Sequence, residues 1–143
     1  MGKKELESFI MRANKQFPLE FAALFGSRAR GAELKSSDYD VLLVSPSFSG
    51  MGIFQRMELA LALWEGSGSV EPVCFTPEEF ESAMGSYNTI AWEAAKDGIP
   101  LFGKEKFMRY RRIFQKAVEN GSLISGKSIK FLKAPEAILA SLG

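Results

Sequence analysis

Two aspartates separated by one residue, Asp38 and Asp40, have a spacing that suggests chemistry. They stand at the start of the segment from Tyr39 to Ser45, whose branched residues predict a β-strand. Because alternate residues of a strand point to the same side, both carboxylates would project from one face. Two carboxylates this close repel each other unless a cation lies between them, and Mg²⁺ prefers oxygen ligands. The spacing predicts a site for one or two Mg²⁺ ions, and the alternative is a solvated, turn-like start of a strand.

A second candidate site lies about a dozen residues earlier, where the apolar segment from Glu20 to Phe25 ends in Gly26-Ser27. A strand that turns at Gly-Ser offers free backbone N–H groups and a hydroxyl at one point, which suits phosphate oxygens. Arg28 and Arg30 follow directly and would add charge-assisted hydrogen bonds. By itself this dipeptide is also compatible with an ordinary turn. Followed by paired acids on a nearby strand, it supplies the second half of a metal–nucleotide site.

These residues carry a resemblance to a known family. Gly26-Ser27, Arg30-Gly31 and Ser37-Asp38-Tyr39-Asp40 match the GSxxRG…SDxD signature of the polymerase β-type nucleotidyltransferase superfamily. The sequence most resembles the small, stand-alone "minimal" nucleotidyltransferases of archaea and bacteria, over roughly residues 5–103. The resemblance implies an α/β (α+β) fold with a small mixed β-sheet flanked by helices.

The resemblance also implies roles for individual residues. Gly26, Ser27 and Arg30 would bind the nucleotide phosphates, and Asp38 and Asp40 would ligate Mg²⁺ in a site with room for two metal ions. A third carboxylate on a neighbouring strand would complete the metal site and help to activate the attacking hydroxyl. Glu71, in the strand-like segment SVEPVCF, is the candidate for this third position. Many relatives have Asp there, and an exposed acid on an edge strand is the other interpretation of Glu71.

Hydrophobic periodicity predicts the elements that position these residues. A helix is expected over residues 3–15, followed by the two strands described above and a helix marked by Ile53, Phe54, Met57, Leu61 and Trp64. A strand from Ser69 to Phe75 follows, and Pro72 inside it favours an edge position. Thr76-Pro77-Glu78-Glu79 is typical of a capped helix start, a further helix is expected over 88–96, and a last short strand over Ile99 to Phe102. Beyond it we expect a basic helix around 105–119, and a short helix from Glu136 to Leu142.

Composition narrows the chemistry that this chain can perform. With 143 residues and 46% hydrophobic residues, it is expected to form one globular domain rather than a disordered chain. The absence of histidine excludes histidine-based triads and general bases, so in an enzyme carboxylates, hydroxyls, backbone amides or an oxygen-liganded metal must act instead. One cysteine, Cys74, cannot form an internal disulfide, which favours the cytoplasm. No apolar run is long enough for a membrane span, so no membrane partner is expected.

Charge divides the chain into two parts. Residues 1–103 carry nine Lys and Arg against fourteen Asp and Glu, a net charge of −5. Residues 104–143 carry nine against three, a net charge of +6. We therefore expect a catalytic domain over 1–103 and a basic helical appendage over 104–143. The basic segment could contact an acidic protein or nucleic acid, or simply present a solvated helix face.

Three functions are compatible with these observations. The first is a Mg²⁺-dependent enzyme that moves a nucleoside monophosphate, with AMP from ATP expected, onto a hydroxyl acceptor such as a protein. The second, implied by the resemblance, is an antitoxin that neutralises a helical HEPN-type RNase by forming a complex. The third, an aminoglycoside-like small-molecule nucleotidyltransferase, needs an acceptor pocket for which the chain has little material unless a homo-oligomer builds it.

Overall fold

The protein, seen in a computed structural model, is described over residues 3–26, 29, 39–86, 88–121, 123–124 and 130–131. In these ranges the helices are α1 (Lys3–Gln16), α2 (Ile53–Leu61), α3 (Pro77–Met84), α4 (Thr89–Asp97) and α5 (Lys104–Glu119). The strands are β1 (Phe21–Phe25), β2 (Tyr39–Val44), β3 (Val70–Phe75), β4 (Ile99–Phe102), β5 (Leu123–Ile124) and β6 (Lys130–Phe131). A 3₁₀ turn over Pro46–Phe48 follows β2. The expected order of helices and strands through α5 is confirmed, whereas the expected helix from Glu136 to Leu142 lies outside the described residues.

Within the described part of the chain, the main sheet has four strands in the order β3-β2-β1-β4. β1 pairs antiparallel with both β2 and β4, and β2 pairs parallel with β3. The connection between the two parallel strands runs through α2, as a parallel pair requires a crossover. The sheet is therefore mixed, as predicted, and Pro72 does lie on an edge strand.

Helices cover both faces of this sheet, and each face has its own apolar core. On one face α1 and α2 pack against the sheet, with Phe9, Val41 and Leu43 fully buried. On the other face α3, α4 and α5 pack around Phe80, Trp92 and Phe107. Burial of these large side chains supplies the main favourable term in folding.

Helix α5 belongs to the second core through five buried residues: Phe107, Tyr110, Ile113, Phe114 and Ala117. The side chain of Arg111 ties this helix to the end of α4, because its Nε donates to Ala95 O at 2.5 Å and its Nη2 donates to Gly98 O. The opposite face of α5 is exposed and carries most of its charges. The expected division of the chain at residue 103 stays a prediction.

Helix α2 is shorter than the apolar residues that mark it in the sequence predict. It ends at Leu61, and Trp64 lies in the following turn with its ring edge against Phe9, 5.6 Å between centroids. The residues that α2 buries are Arg56 and Ala60, whereas Ile53 and Phe54 are 73% and 76% exposed. The two apolar residues in the first turn of α2 therefore do not face the core. Those residues instead form an exposed apolar surface.

The predicted start of α3 is confirmed in detail. The Thr76 hydroxyl accepts from Glu79 N at 3.1 Å, and the Glu79 carboxylate accepts from Thr76 N at 2.8 Å. This reciprocal capping box satisfies two backbone donors that the first turn of a helix leaves without partners. It also fixes the direction in which the chain leaves β3.

Among the described helices, none is long and apolar enough to cross a membrane.

Candidate active site

Asp40 and Glu71 are brought side by side by the pairing of β2 with β3. The two residues are direct partners in the parallel register of these strands. Side chains at paired positions project to the same side of a sheet, about 5 Å apart at their origins. The two carboxylates therefore share one face, although they are separated by 30 positions along the chain.

The strands themselves explain which face this is. Asp40 alternates with Tyr39 and Val41, which belong to the core under α1 and α2, and is therefore on the opposite face. Glu71 lies in the same row of β3 as Val73 and Phe75, which pack against the core under α3, α4 and α5. Both acids stand near the N-terminal ends of their strands. Asp40 is half-buried and Glu71 is exposed, so the pair opens to solvent.

Gly26, directly after the end of β1, lies next to the Asp40 carboxylate. The preceding residue, Phe25, pairs with Asp40 in the antiparallel register of β1 with β2. Gly26 has a φ of 75°, a conformation that glycine adopts at little cost. A Cβ built on Gly26 would overlap Oδ2 of Asp40. The glycine is therefore needed both for the turn and for the space that the Asp40 carboxylate occupies.

The other predicted site residues, Ser27, Arg30 and Asp38, lie outside the described part of the chain, as does Arg28. Within the described part, no three His, Cys, Asp or Glu side chains gather closely enough to hold a metal ion. The structure thus brings together Gly26, Asp40 and Glu71. The roles of all six predicted residues stay predictions.

The donor set at this corner fits Mg²⁺. Carboxylate oxygens are hard ligands, and Mg²⁺ in nucleotide sites is commonly held by one or two carboxylates together with substrate phosphates. Asp40 and Glu71 share a face, and the missing side chain at Gly26 leaves room at the Asp40 carboxylate. These two carboxylates therefore have the chemistry that a divalent cation requires, and they lie close to Gly26, where the phosphate-binding turn is predicted.

A cleft of about 400 Å³ runs along the outer edge of β3, starting at the residue after Glu71. Its walls are mostly apolar and come from α2, β3 and the start of α4: Ile53, Met57, Pro72, Val73, Phe75 and Asn88. Cys74 also lines it, and burial raises the pKa of this thiol to about 12. Such a cleft suits an apolar group rather than a highly charged one.

An ion pair between a buried arginine and a half-exposed glutamate, in the wall of this cleft, was not found by sequence reasoning. Arg56 is only 5% exposed, and its guanidinium meets the Glu79 carboxylate through two hydrogen bonds of 2.5 and 3.0 Å. These hydrogen bonds lower the pKa of Glu79 and raise that of Arg56. The available sequence signal was an arginine among the apolar residues of α2, and Glu79 had an adequate explanation as a helix cap.

Comparisons with known proteins give the class of the protein. A model of the nucleotidyltransferase domain family matches residues 6–113. The chain belongs to this family and is a nucleotidyltransferase. No curated protein is similar enough to the chain to count as a match.

Solved structures include several with the same fold. One, from Sulfolobus solfataricus and described as a candidate nucleotidyltransferase, is 28% identical with a TM-score of 0.52. The alignment covers 72% of this chain and 81% of that one. It supports the predicted polymerase β-type fold, which is confirmed.

Two further similar structures are of toxin–antitoxin proteins. A toxin–antitoxin structure with AMP-PNP is 21% identical with a TM-score of 0.49. A mutant of the toxin–antitoxin MntA-HpeT is 18% identical with a TM-score of 0.48. Each alignment covers 80% of this chain and 92% of the other.

Proposed function

We propose that this nucleotidyltransferase moves a nucleoside monophosphate, AMP from ATP, onto a hydroxyl group of a protein, and that Asp38, Asp40 and Glu71 hold the Mg²⁺ that the reaction requires. The observation that carries the proposal is the register of β2 and β3, which pairs Asp40 with Glu71 on one face. The contact between Gly26 and the Asp40 carboxylate adds to it, because it joins the phosphate-type turn to the paired acids.

The proposed site residues have two separate roles, phosphate binding and metal ligation. Gly26, Ser27 and Arg30 bind the outer phosphates and so orient the α-phosphorus toward the acceptor. When bound, Mg²⁺ offsets the negative charge of the triphosphate and of the departing pyrophosphate. Asp38 and Asp40 act as ligands that fix this charge in place.

Glu71 lies on the strand nearest the apolar cleft and is the acid best placed to meet the acceptor hydroxyl. A new bond forms between the acceptor oxygen and the α-phosphorus, while the bond from the α-phosphorus to the bridging oxygen of pyrophosphate breaks. The acceptor proton passes to the Glu71 carboxylate and from there to solvent, and pyrophosphate leaves with the electron pair of the broken bond.

The surroundings of Glu71 support a protein as the acceptor. The cleft that begins beside this residue is lined mainly by apolar side chains, and Ile53 and Phe54 extend the apolar surface onto α2. The Glu79 carboxylate in its wall is engaged by Arg56. These walls offer few charged or polar partners to a small polycationic sugar. They can instead pack against the apolar side chains that surround a hydroxyl group on a protein surface.

The experiment compares ATP labelled at the α-phosphate with ATP labelled at the γ-phosphate. Each is incubated with the enzyme, Mg²⁺ and a proteome extract of the host, and label on protein is measured after electrophoresis. We expect label above that of the extract without the enzyme from α-labelled ATP alone, because the γ-phosphate leaves in pyrophosphate. Enzyme-dependent label from the γ-phosphate instead would identify a kinase and contradict the proposal.

Variants connect this activity to the proposed residues. Asp40→Asn and Glu71→Gln should each lower the initial rate by about 100-fold or more, since each removes a charge that neutralises the site. Glu78→Gln is the matched control, because Glu78 is an exposed acid in the first turn of α3. If the Asp40→Asn enzyme labels protein as fast as the Glu78→Gln enzyme, the assignment of the site is wrong.

A further inference from the structure

Among the described residues, the strand that carries Glu71 is hydrogen-bonded into the sheet on one side only. β3 is the edge strand, and the carbonyl oxygens of Ser69 and Phe75 accept from the β2 side, each at 3.0 Å. Because backbone groups alternate along a strand, positions 70, 72 and 74 direct theirs outward. Pro72 has no N–H to donate there, and no further strand lies beyond β3 among the described residues. The position of β3 therefore depends on what contacts its outer edge.

That outer edge is held by Arg56. Its Nη1 donates to the outward-facing carbonyl oxygen of Cys74 at 3.1 Å, three residues after Glu71. Its Nε donates to Met51 O at 3.0 Å, which fixes the guanidinium relative to the start of α2. One side chain thus connects α2 with the free edge of β3.

The carboxylate of Glu79 completes this connection from the other direction. It accepts two hydrogen bonds from the Arg56 guanidinium and one from Thr76 N, the residue that follows β3. We name the Arg56–Glu79 pair the edge clasp. The edge clasp is therefore hydrogen-bonded to β3 at Cys74 and to Thr76, the residue directly after the strand.

We propose that the edge clasp is a positioning device for catalysis: it holds β3 in register with β2 and thereby keeps the Glu71 carboxylate beside Asp40. This inference rests on the proposed role of Glu71 as a metal ligand. Mg²⁺ requires near-octahedral geometry, so its ligands must be held to within about 0.5 Å. The edge clasp gives this edge strand a second attachment, which restricts its movement at Cys74 and at Thr76.

The chemistry of the pair agrees with a positioning role. Arg56 is buried but the Glu79 side chain is 45% exposed, so solvent weakens the attraction between the two charges, and stability alone does not explain a charged pair here. The planar guanidinium, in contrast, directs several donors at fixed angles, here at Met51, Cys74 and Glu79. Lysine carries the same charge but lacks this geometry.

The test measures metal binding instead of turnover. Binding of Mn²⁺ is followed by electron paramagnetic resonance with a non-hydrolysable ATP analogue present, after thermal melting has shown that each variant is folded. The double variant Arg56→Met/Glu79→Gln keeps an apolar side chain in the wall and a glutamine able to cap α3. We expect its Mn²⁺ affinity to fall about 10-fold, as is typical when support of a metal ligand is lost.

Arg111→Met is the matched control. Arg111 is also partly buried and donates to two backbone carbonyls, but it ties α5 to the end of α4 and does not contact β3. Its Mn²⁺ affinity should change less than 2-fold. Arg56→Lys is a milder variant, and we expect its Mn²⁺ affinity to fall about 3-fold. It replaces the double variant in this experiment if the double variant does not fold.

Combination with Glu71→Gln separates the possible outcomes. If the edge clasp acts through Glu71, the double variant should cause no further loss of affinity in the Glu71→Gln background. If the double variant lowers the Mn²⁺ affinity as much in the Glu71→Gln background as in the parent chain, the positioning role is overturned. It is also overturned if Glu71→Gln weakens Mn²⁺ binding while the edge clasp variants bind Mn²⁺ with the parent affinity. Unchanged affinity in Glu71→Gln itself would instead show that Glu71 is not a metal ligand and that the proposed site is wrong.

Discussion

The contact between Gly26 and Asp40 allows a substitution that should affect activity far more than stability. Alanine at position 26 meets two difficulties, the positive φ of 75° and the overlap of its Cβ with the Asp40 carboxylate. The positive φ costs a non-glycine residue about 1–2 kcal/mol. For a chain of this size, that corresponds to a fall in Tm of roughly 2–8 °C.

The overlap predicts a larger effect on catalysis. To restore ordinary van der Waals contact, the Asp40 carboxylate must retreat by about 1 Å from the new methyl group. A displacement of that size in a catalytic group can reduce the rate about 100-fold. We therefore expect Gly26→Ala to lower kcat/KM for nucleotidyl transfer by about two orders of magnitude.

Gly50→Ala provides the matched control. Gly50 has a φ of 81°, so it suffers similar backbone strain, but a Cβ there meets nothing within 4 Å. Gly50 follows the 3₁₀ turn after β2, whereas Asp40 is near the start of that strand. Melting curves and initial rates of the two variants should show similar losses of Tm but very different losses of activity. Equal activity in the two variants would refute the claim that Gly26 makes room for a catalytic carboxylate.

Three further predictions concern stability and reactivity. Because Arg56 lowers the pKa of Glu79, the folded chain gains stability above the ordinary glutamate pKa of about 4.3 and loses it as the pH falls through the folded pKa. Glu79→Gln should therefore flatten the fall in Tm between about pH 5 and pH 3, and a Tm profile parallel to that of the parent chain would contradict this. The thiol of Cys74, with its pKa raised to about 12 by burial, should react with iodoacetamide at pH 8 over 100-fold more slowly in the folded chain than in urea, and equal rates would show an accessible thiolate. Trp92→Phe removes the buried hydrogen bond of 2.6 Å from Nε1 to Met84 O and should destabilise the chain by about 2 kcal/mol in chemical denaturation, whereas an unchanged midpoint would show that the hydrogen bond contributes little.

Sequence patterns predicted the local structure well wherever one chemical signal dominated. Thr76-Pro77-Glu78-Glu79 predicted the start of α3, because capping is decided within four residues. Pro72 predicted an edge strand, since a residue without an N–H is poorly tolerated between two neighbours. The apolar segment from Ile99 to Phe102 was expected as a strand and is β4.

Contacts between residues far apart in the chain were harder to predict from the sequence. The alternation of Asp38 and Asp40 predicts their shared face, but only the parallel pairing of β2 with β3 puts Glu71 opposite Asp40. The face of α2 that packs on the sheet was not evident from the sequence, because Arg56 is buried by partners on β3 and α3 that lie far away in the chain. Periodicity alone cannot reveal such partners, since a charged residue with buried partners looks the same in a sequence as one in solvent.

The central claim is that paired acids on β2 and β3 hold the metal ion for nucleotidyl transfer. A crystal structure of the enzyme with Mn²⁺ and a non-hydrolysable ATP analogue tests this most directly, because Mn²⁺ can be located by its anomalous scattering. We predict an anomalous peak within about 2.0–2.3 Å of carboxylate oxygens from both Asp40 and Glu71, with the phosphates extending toward Gly26. A peak coordinated elsewhere, with neither carboxylate among its ligands, would contradict the claim.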